Sequence, residues 1–246
     1  SGRLTLMDAF HCAENPTFLA IDTNGRHLYA VSEVADPHGA VSAFSIDSQT
    51  GRLNYLNKQL VRGGSPCHLS VGATGSFVLG ANYDGGSVFV LQVVDDGSLG
   101  QVTDFVQHEG SSINPERQRA PHTHSITMDP SNRYAFAADL GTDKIMTYEF
   151  DADSGTLSAN KQPWVTIQAG AGPRHFTFHP EGRYAYLINE LDSTIVSLVY
   201  DQASGTLRDN GTVSALPAHA DLQSKKDCVN WCADIHVSPS GTRLYG

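Results

Sequence analysis

Cysteine is scarce and scattered in this 246-residue chain. Cys12, Cys67, Cys228 and Cys232 form no C-x-x-C pair, which removes the usual redox and zinc signatures and leaves buried thiols in a reducing, cytoplasmic compartment as the expectation. Basic residues are also few: 16 Lys and Arg stand against 26 Asp and Glu, a formal net charge of −10. That balance argues against nucleic acid and against anionic membrane surfaces, both of which call for a basic face. No apolar run is long enough to span a membrane as a helix, and the opening "SGRLTLMDAF" is not a signal peptide. Apolar residues at helical spacing are rare. No Gly-rich phosphate loop opens a helix, and no G-x-S-x-G nucleophile elbow occurs.

What is present is a repeat. "FLAIDTNGRHLYAVSE" (18–33), "HLSVGATGSFVLGANY" (68–83), "SITMDPSNRYAFAADL" (125–140), "HFTFHPEGRYAYLINE" (175–190) and "DIHVSPSGTRLYG" (234–246) each read as strand, polar turn, strand. Their turns close on Gly25, Gly75, Asn132, Gly182 and Gly241, spaced by 50, 57, 50 and 59 residues. A second element recurs between them: "VSAFSIDSQTGRL", "VFVLQVVDDGSL", "IMTYEFDADSGTL" and "IVSLVYDQASGTL". It supplies a third strand, a turn and the start of a fourth, with Asp47, Asp151 and Asp201 placed to cap the turn. Four antiparallel strands per repeat predict an all-β fold, a β-propeller forming a single domain over 1–246. A β-sandwich is the alternative, but it need not repeat its turn chemistry at regular spacing. The phase predicts an incomplete arc: four whole repeats, preceded by a last-strand fragment at "SGRL" and followed by a partial repeat ending at "RLYG". The pattern therefore predicts a longer parent chain.

In such a blade the start of the first strand and the end of the second share one mouth of the central channel. Counting outward from the turn near Glu181 sets Arg174 beside Asn189, with Glu190 next to it. The equivalent positions include Thr17, Phe18, Glu33, Cys67, His68, Tyr83, His124, Asp139, His175, Ala233 and Asp234. Equivalent positions that differ in chemistry, rich in His, Arg, Asn, Asp and Glu, point to a site. His122 and His124 sit two apart and share a strand face, but no third ligand stands at a usual spacing, so no metal is expected. Arg26, Arg133 and Arg183 follow the turns and belong to the opposite mouth.

The stretches "AGPRHFTFHPEGRYAYLINEL", "PHTHSITMDPSNRYAFAADLGTDKI" and "WCADIHVSPSGTRLY" resemble the seven-bladed propeller lactonases, in particular the cycloisomerase-2-type 6-phosphogluconolactonases and, more distantly, the fungal carboxy-muconate cyclase. The resemblance covers the whole chain. It implies a sugar-lactone hydrolase acting on a small molecule without a cofactor, with catalytic His124, Arg174 and Glu190. A further family Arg would follow the "LY" near the last residue, Gly246. His68, Tyr83, His175 and Asn189 are the expected substrate ligands. Arg174 suits an oxyanion or a phosphate, and Glu190 or His124 suits water activation, with Glu190 preferred. A lactonising cyclase and a non-catalytic binding scaffold remain as alternatives, and no protein partner is indicated.

Overall fold

The computed structural model describes residues 2, 4–6, 9–10, 14–217 and 230–246. Blade 1 comprises β1 (Leu19–Ile21), β2 (His27–Ser32), β3 (Ala40–Ile46) and β4 (Leu53–Leu60). Blade 2 comprises β5 (Pro66–Val71), β6 (Phe77–Asn82), β7 (Ser87–Val93) and β8 (Leu99–Gln107). Blade 3 follows with β9 (Thr123–Met128), β10 (Tyr134–Asp139), β11 (Lys144–Asp151) and β12 (Thr156–Thr166). Blade 4 has β13 (Pro173–Phe178), β14 (Tyr184–Asn189), β15 (Thr194–Asp201) and β16 (Thr206–Ser214). A last hairpin pairs β17 (His236–Val237) with β18 (Leu244–Tyr245). Each sheet runs in simple chain order and is antiparallel throughout. The described residues contain no helix, and so none that is long and apolar enough to cross a membrane.

The turn chemistry explains the hairpins. Gly25, Gly75, Gly182 and Gly241 have φ between 65° and 75°, and Asn132 has φ 59°. Each takes the left-handed position that Gly or Asn tolerates best. Asp47 accepts the backbone N–H groups of Gln49 and Thr50, and Asp151 and Asp201 do the same for Asp153 and Ala203. The outer hairpin turns are thus closed by side chains.

The cores lie between blades, because the strands alternate and both faces of each sheet are covered. On β6, Phe77, Leu79 and Ala81 face blade 3 and pack with Ile126, Ala135 and Phe150. Val78, between them, faces blade 1 and packs with Tyr29, Val31 and Phe89. Tyr134, Phe136 and Ala138 of β10 face blade 4, against Phe176, Leu187 and Tyr200. Gly80 pairs with Phe89 across β6 and β7, and the Phe89 ring occupies the space a Gly80 side chain would need.

Four blades and the final hairpin match the expected repeats. The expected leading fragment at "SGRL" lies in part outside the described residues. Cys12 and Cys228 also lie outside the described residues.

Candidate active site

The inner strands β1, β5, β9, β13 and β17 neighbour one another in chain order and line the channel. At one mouth they enclose a cleft of about 670 Å³. Three of its residues have the same origin. The inner hairpins of blades 2, 3 and 4 each slip register at their mouth end: between Pro66 and His68, between Thr123 and Ser125, and between Pro173 and His175. The extra residues are Cys67, His124 and Arg174, and all three line the cleft. A bulge frees one residue from the ladder and re-aims it. The partner strands end in a second set, Glu33, Tyr83 and Glu190, that also lines the cleft. Their backbone N–H groups are held by the carbonyls of Asn15, Ser65 and Gly172.

The bulge corrects the expected pairing. Pro173, not Arg174, stands opposite Asn189. Asn189 points away from the cleft, with Nδ2 donating to Thr194 Oγ1 at 2.9 Å, so it is not placed to touch a ligand there. Its equivalents Asn82 and Asp139 are likewise buried and tie down loops: Asn82 donates to Arg62 O, and Asp139 accepts from the N–H groups of His122 and Thr142. His68 is also off the cleft lining. Its ring packs between Phe18 and His175, with centroids 4.3 and 5.2 Å away, and its Nδ1 faces the Ile126 N–H at 3.4 Å. Burial and the neighbouring His175 and His124 rings keep it well below the ordinary imidazole range.

Glu190 is the electrostatic centre. Its side chain is 3% exposed, and it accepts from Arg117 Nη2 at 2.5 Å and from Arg174 Nη1 at 2.7 Å. His124 Nε2 lies 3.5 Å away. Burial alone would raise the carboxyl pKa. His124 and Arg117 bonding to it, with the positive charge of Arg174, reverse this and bring it down to about 2. A carboxylate so stabilised is a weak base at neutral pH, which corrects the preference for Glu190 as the group that activates water. Burial first, then Arg174 and His175, hold His124 below its ordinary value against the pull of Glu190. Arg174 Nε is buried with no hydrogen-bond partner among the described residues.

Arg117 was not anticipated. It sits in the 108–122 link between β8 and β9, whereas blades 1 and 2 are joined by residues 61–65 and blades 3 and 4 by 167–172. That extra length was the available signal. Asn114 Oδ1 caps the link by accepting the N–H groups of Glu116 and Arg117, and buried Gln118 fastens it through Leu140 O. At its root, buried His108 bridges Asp139 and Tyr148 at 2.6 and 2.7 Å. Arg117 then reaches Tyr83 Oη at 2.9 Å and stacks over the Trp231 ring at 4.9 Å.

His122 is occupied structurally, with Nδ1 donating to Tyr83 O at 3.0 Å and its ring stacked on Tyr83. Among the described residues no three His, Cys, Asp or Glu side chains are placed to hold a metal. Burial pushes the Cys67 thiol up, leaving it protonated and inert.

The chain matches the family described as "Lactonase, 7-bladed beta-propeller" over residues 1–246. It belongs to the seven-bladed β-propeller lactonase family. Among curated members it is 39% identical to the 6-phosphogluconolactonase of Bacillus subtilis, over 94% of this chain and 63% of that protein. It is 34% identical to the 6-phosphogluconolactonase of Formosa agariphila, over 100% of this chain and 67% of that one. The chain thus spans about two thirds of the length of these lactonases. The periplasmic gluconolactonase of Pseudomonas aeruginosa superposes with a TM-score of 0.87 at 30% identity, over 97% of this chain and 66% of that structure.

Proposed function

We propose that this protein hydrolyses a sugar lactone, with 6-phospho-D-glucono-1,5-lactone as its substrate. The observation that carries the proposal is the Arg117–Glu190–Arg174 cluster at the channel mouth. Two guanidinium groups around one carboxylate leave one net positive charge within this cluster, with Glu33 and Asp234 elsewhere on the same cleft lining. That charge suits both a phosphoryl group and the oxyanion that develops when water attacks a lactone carbonyl. Arg174 lines the cleft and supplies guanidinium donors there. Such a donor contributes about 3–4 kcal/mol to the transition state. Glu190 holds both arginines in place. With its carboxyl near 2, proton acceptance passes to a mouth histidine, and His124 and His175 both line the cleft.

The names of the Bacillus and Formosa relatives support the phosphorylated substrate, and that of the Pseudomonas relative the same chemistry on gluconolactone. The scattered cysteines support action in the reducing cytoplasm, while the Pseudomonas relative is periplasmic; cell fractionation separates the two.

The test is a pH-stat assay with D-glucono-1,5-lactone, its 6-phosphate and a carboxy-muconolactone. Acid release fastest from the 6-phosphate is the expected result. Faster turnover of the muconolactone would make the protein a cyclase relative. No turnover of any lactone would leave a binding scaffold.

A further inference from the structure

His175 is a mouth residue whose chemistry the arginine cluster does not use. Its Nδ1 meets Asp234 Oδ1 at 2.7 Å. Asp234 comes from the segment entering β17, so the pair spans two blades. The carboxylate is itself positioned: Oδ1 also accepts the Ile235 N–H at 2.8 Å, and Oδ2 meets His236 Nε2 at 2.7 Å. An ionised carboxylate only accepts, so Nδ1 carries a proton in this contact. Nε2 has no hydrogen-bond partner among the described residues, and the residue lines the cleft. The ring is wedged by Phe18, His68 and His124, with centroids 5.8, 5.2 and 5.5 Å away. His124, the other candidate, has Nε2 facing Glu190 at 3.5 Å and Nδ1 facing the Cys67 thiol at 3.9 Å.

We infer that His175 is the group that takes the proton from the attacking water, with Asp234 as its positioning residue. This rests on the lactone-hydrolase function proposed above. A water proton passes to His175 Nε2 as the water oxygen bonds to the lactone carbonyl carbon. The carbonyl electron pair moves onto oxygen, against Arg174. On collapse the bond from that carbon to the ring oxygen breaks, and the ring oxygen takes the proton from the His175 imidazolium. The new carboxylic acid ionises into solvent, and His175 is neutral again. Hydrogen bonding of Nδ1–H to an oriented carboxylate is what the chemistry requires, since it fixes the tautomer and stabilises the imidazolium as it forms.

The charged and titratable groups facing His175 are Asp234, His68 and His124, with His236 behind Asp234 and Arg174 adjacent in the chain. Among the described residues Asp234 is the anion in contact with it. Replacing it therefore removes the contact that orients the ring and supports the imidazolium as it forms.

The experiment compares wild type, His175→Gln and Asp234→Asn on 6-phospho-D-glucono-1,5-lactone from pH 5 to 9, each checked for folding by thermal melt. His175→Gln is expected to lose about a hundredfold or more in kcat with little change in KM. Asp234→Asn is expected to lose about tenfold or more in kcat with little change in KM. Imidazole-ring ¹⁵N NMR of wild type supplies a readout that does not depend on any variant folding: Nδ1 protonated and Nε2 bare at pH 7. Active wild type with a near-normal His175→Gln, a near-normal kcat in Asp234→Asn, or a protonated Nε2 each overturns the inference and leaves the lactonase proposal standing. Wild type inert towards all three lactones overturns the lactonase proposal, and this inference with it.

Discussion

Arg174 is the bulged residue of its hairpin, and from that bulge it donates Nη1 to Glu190 Oε2 at 2.7 Å. An exposed pair of this kind contributes only about 0–1 kcal/mol. Glu190 is not exposed: its side chain is 3% accessible and also holds Arg117. Under the proposed chemistry, Arg174→Ala lowers kcat/KM for 6-phospho-D-glucono-1,5-lactone by about a hundredfold or more, as loss of an oxyanion donor does. Steady-state kinetics decide it. A variant keeping more than about a tenth of the activity, under about 1.4 kcal/mol of barrier, refutes the role.

Glu190 also predicts a pH dependence of stability. Its carboxyl lies near 2 in the folded protein and near an ordinary 4.3 when unfolded. A depressed acid contributes stability that is full above the unfolded value and lost as pH falls towards the folded one. Glu190→Gln is therefore expected to melt well below wild type at pH 7, with the gap narrowing between about pH 5 and pH 2. A gap that stays constant on acidification excludes Glu190 as its source.

Arg117 reaches the site from a link rather than a blade, and its partners are Tyr83 and Glu190. Arg117→Ala is expected to raise KM about tenfold for the phosphorylated lactone and less for the unphosphorylated one, with kcat reduced little, the pattern of lost ground-state binding. Equal effects on both substrates would mean that Arg117 does not contact the phosphoryl group.

Gly80 offers a stability test remote from the cleft. A Cβ there would run into the Phe89 ring, and Phe89 is fully buried. Overpacking of this kind costs about 1–3 kcal/mol and sometimes more. Gly80→Ala should lower the Tm by several degrees while leaving KM unchanged. An unaltered Tm would show that the blade 1–blade 2 interface yields more readily than its packing implies.

Chelation is expected to leave turnover unchanged, because no described cluster has three metal-ligating side chains in reach of one point. Activity abolished by EDTA and restored by a divalent ion would contradict this, and His122 would be the first residue to replace.

Blade count, strand order and turn positions were legible in the sequence because each depends on local chemistry. Alternation of period two sets which face of a strand is buried. A turn needing positive φ selects Gly or Asn, and the five turn residues identified by spacing all have it. The ring of differing residues at one mouth was legible for the same reason: hairpin pairing brings a strand start and a strand end together. Thus Tyr83, His124, Arg174, His175 and Glu190 were found by counting, and all five line one cleft.

Counting stopped at the bulges. A one-residue insertion leaves the alternation on either side intact, so nothing in "GPRHFTF" marks Arg174 as the extra residue. The slip moved Arg174 out of the ladder and put Asn189 opposite Pro173. It is why Asn189 was expected in the cleft and is not there. Protonation behaviour was equally non-local. Glu190 read as a base until two arginines from separate elements were seen to converge on it. Arg117 lies 73 residues before Glu190, on an inter-blade link outside the repeated strands, and Asp234 meets His175 across a blade boundary. Short-range sterics and alternation were enough to specify the blades. The charges that meet at the mouth are neighbours only once the blades pack round the channel, and that packing decided which groups hold, donate and accept.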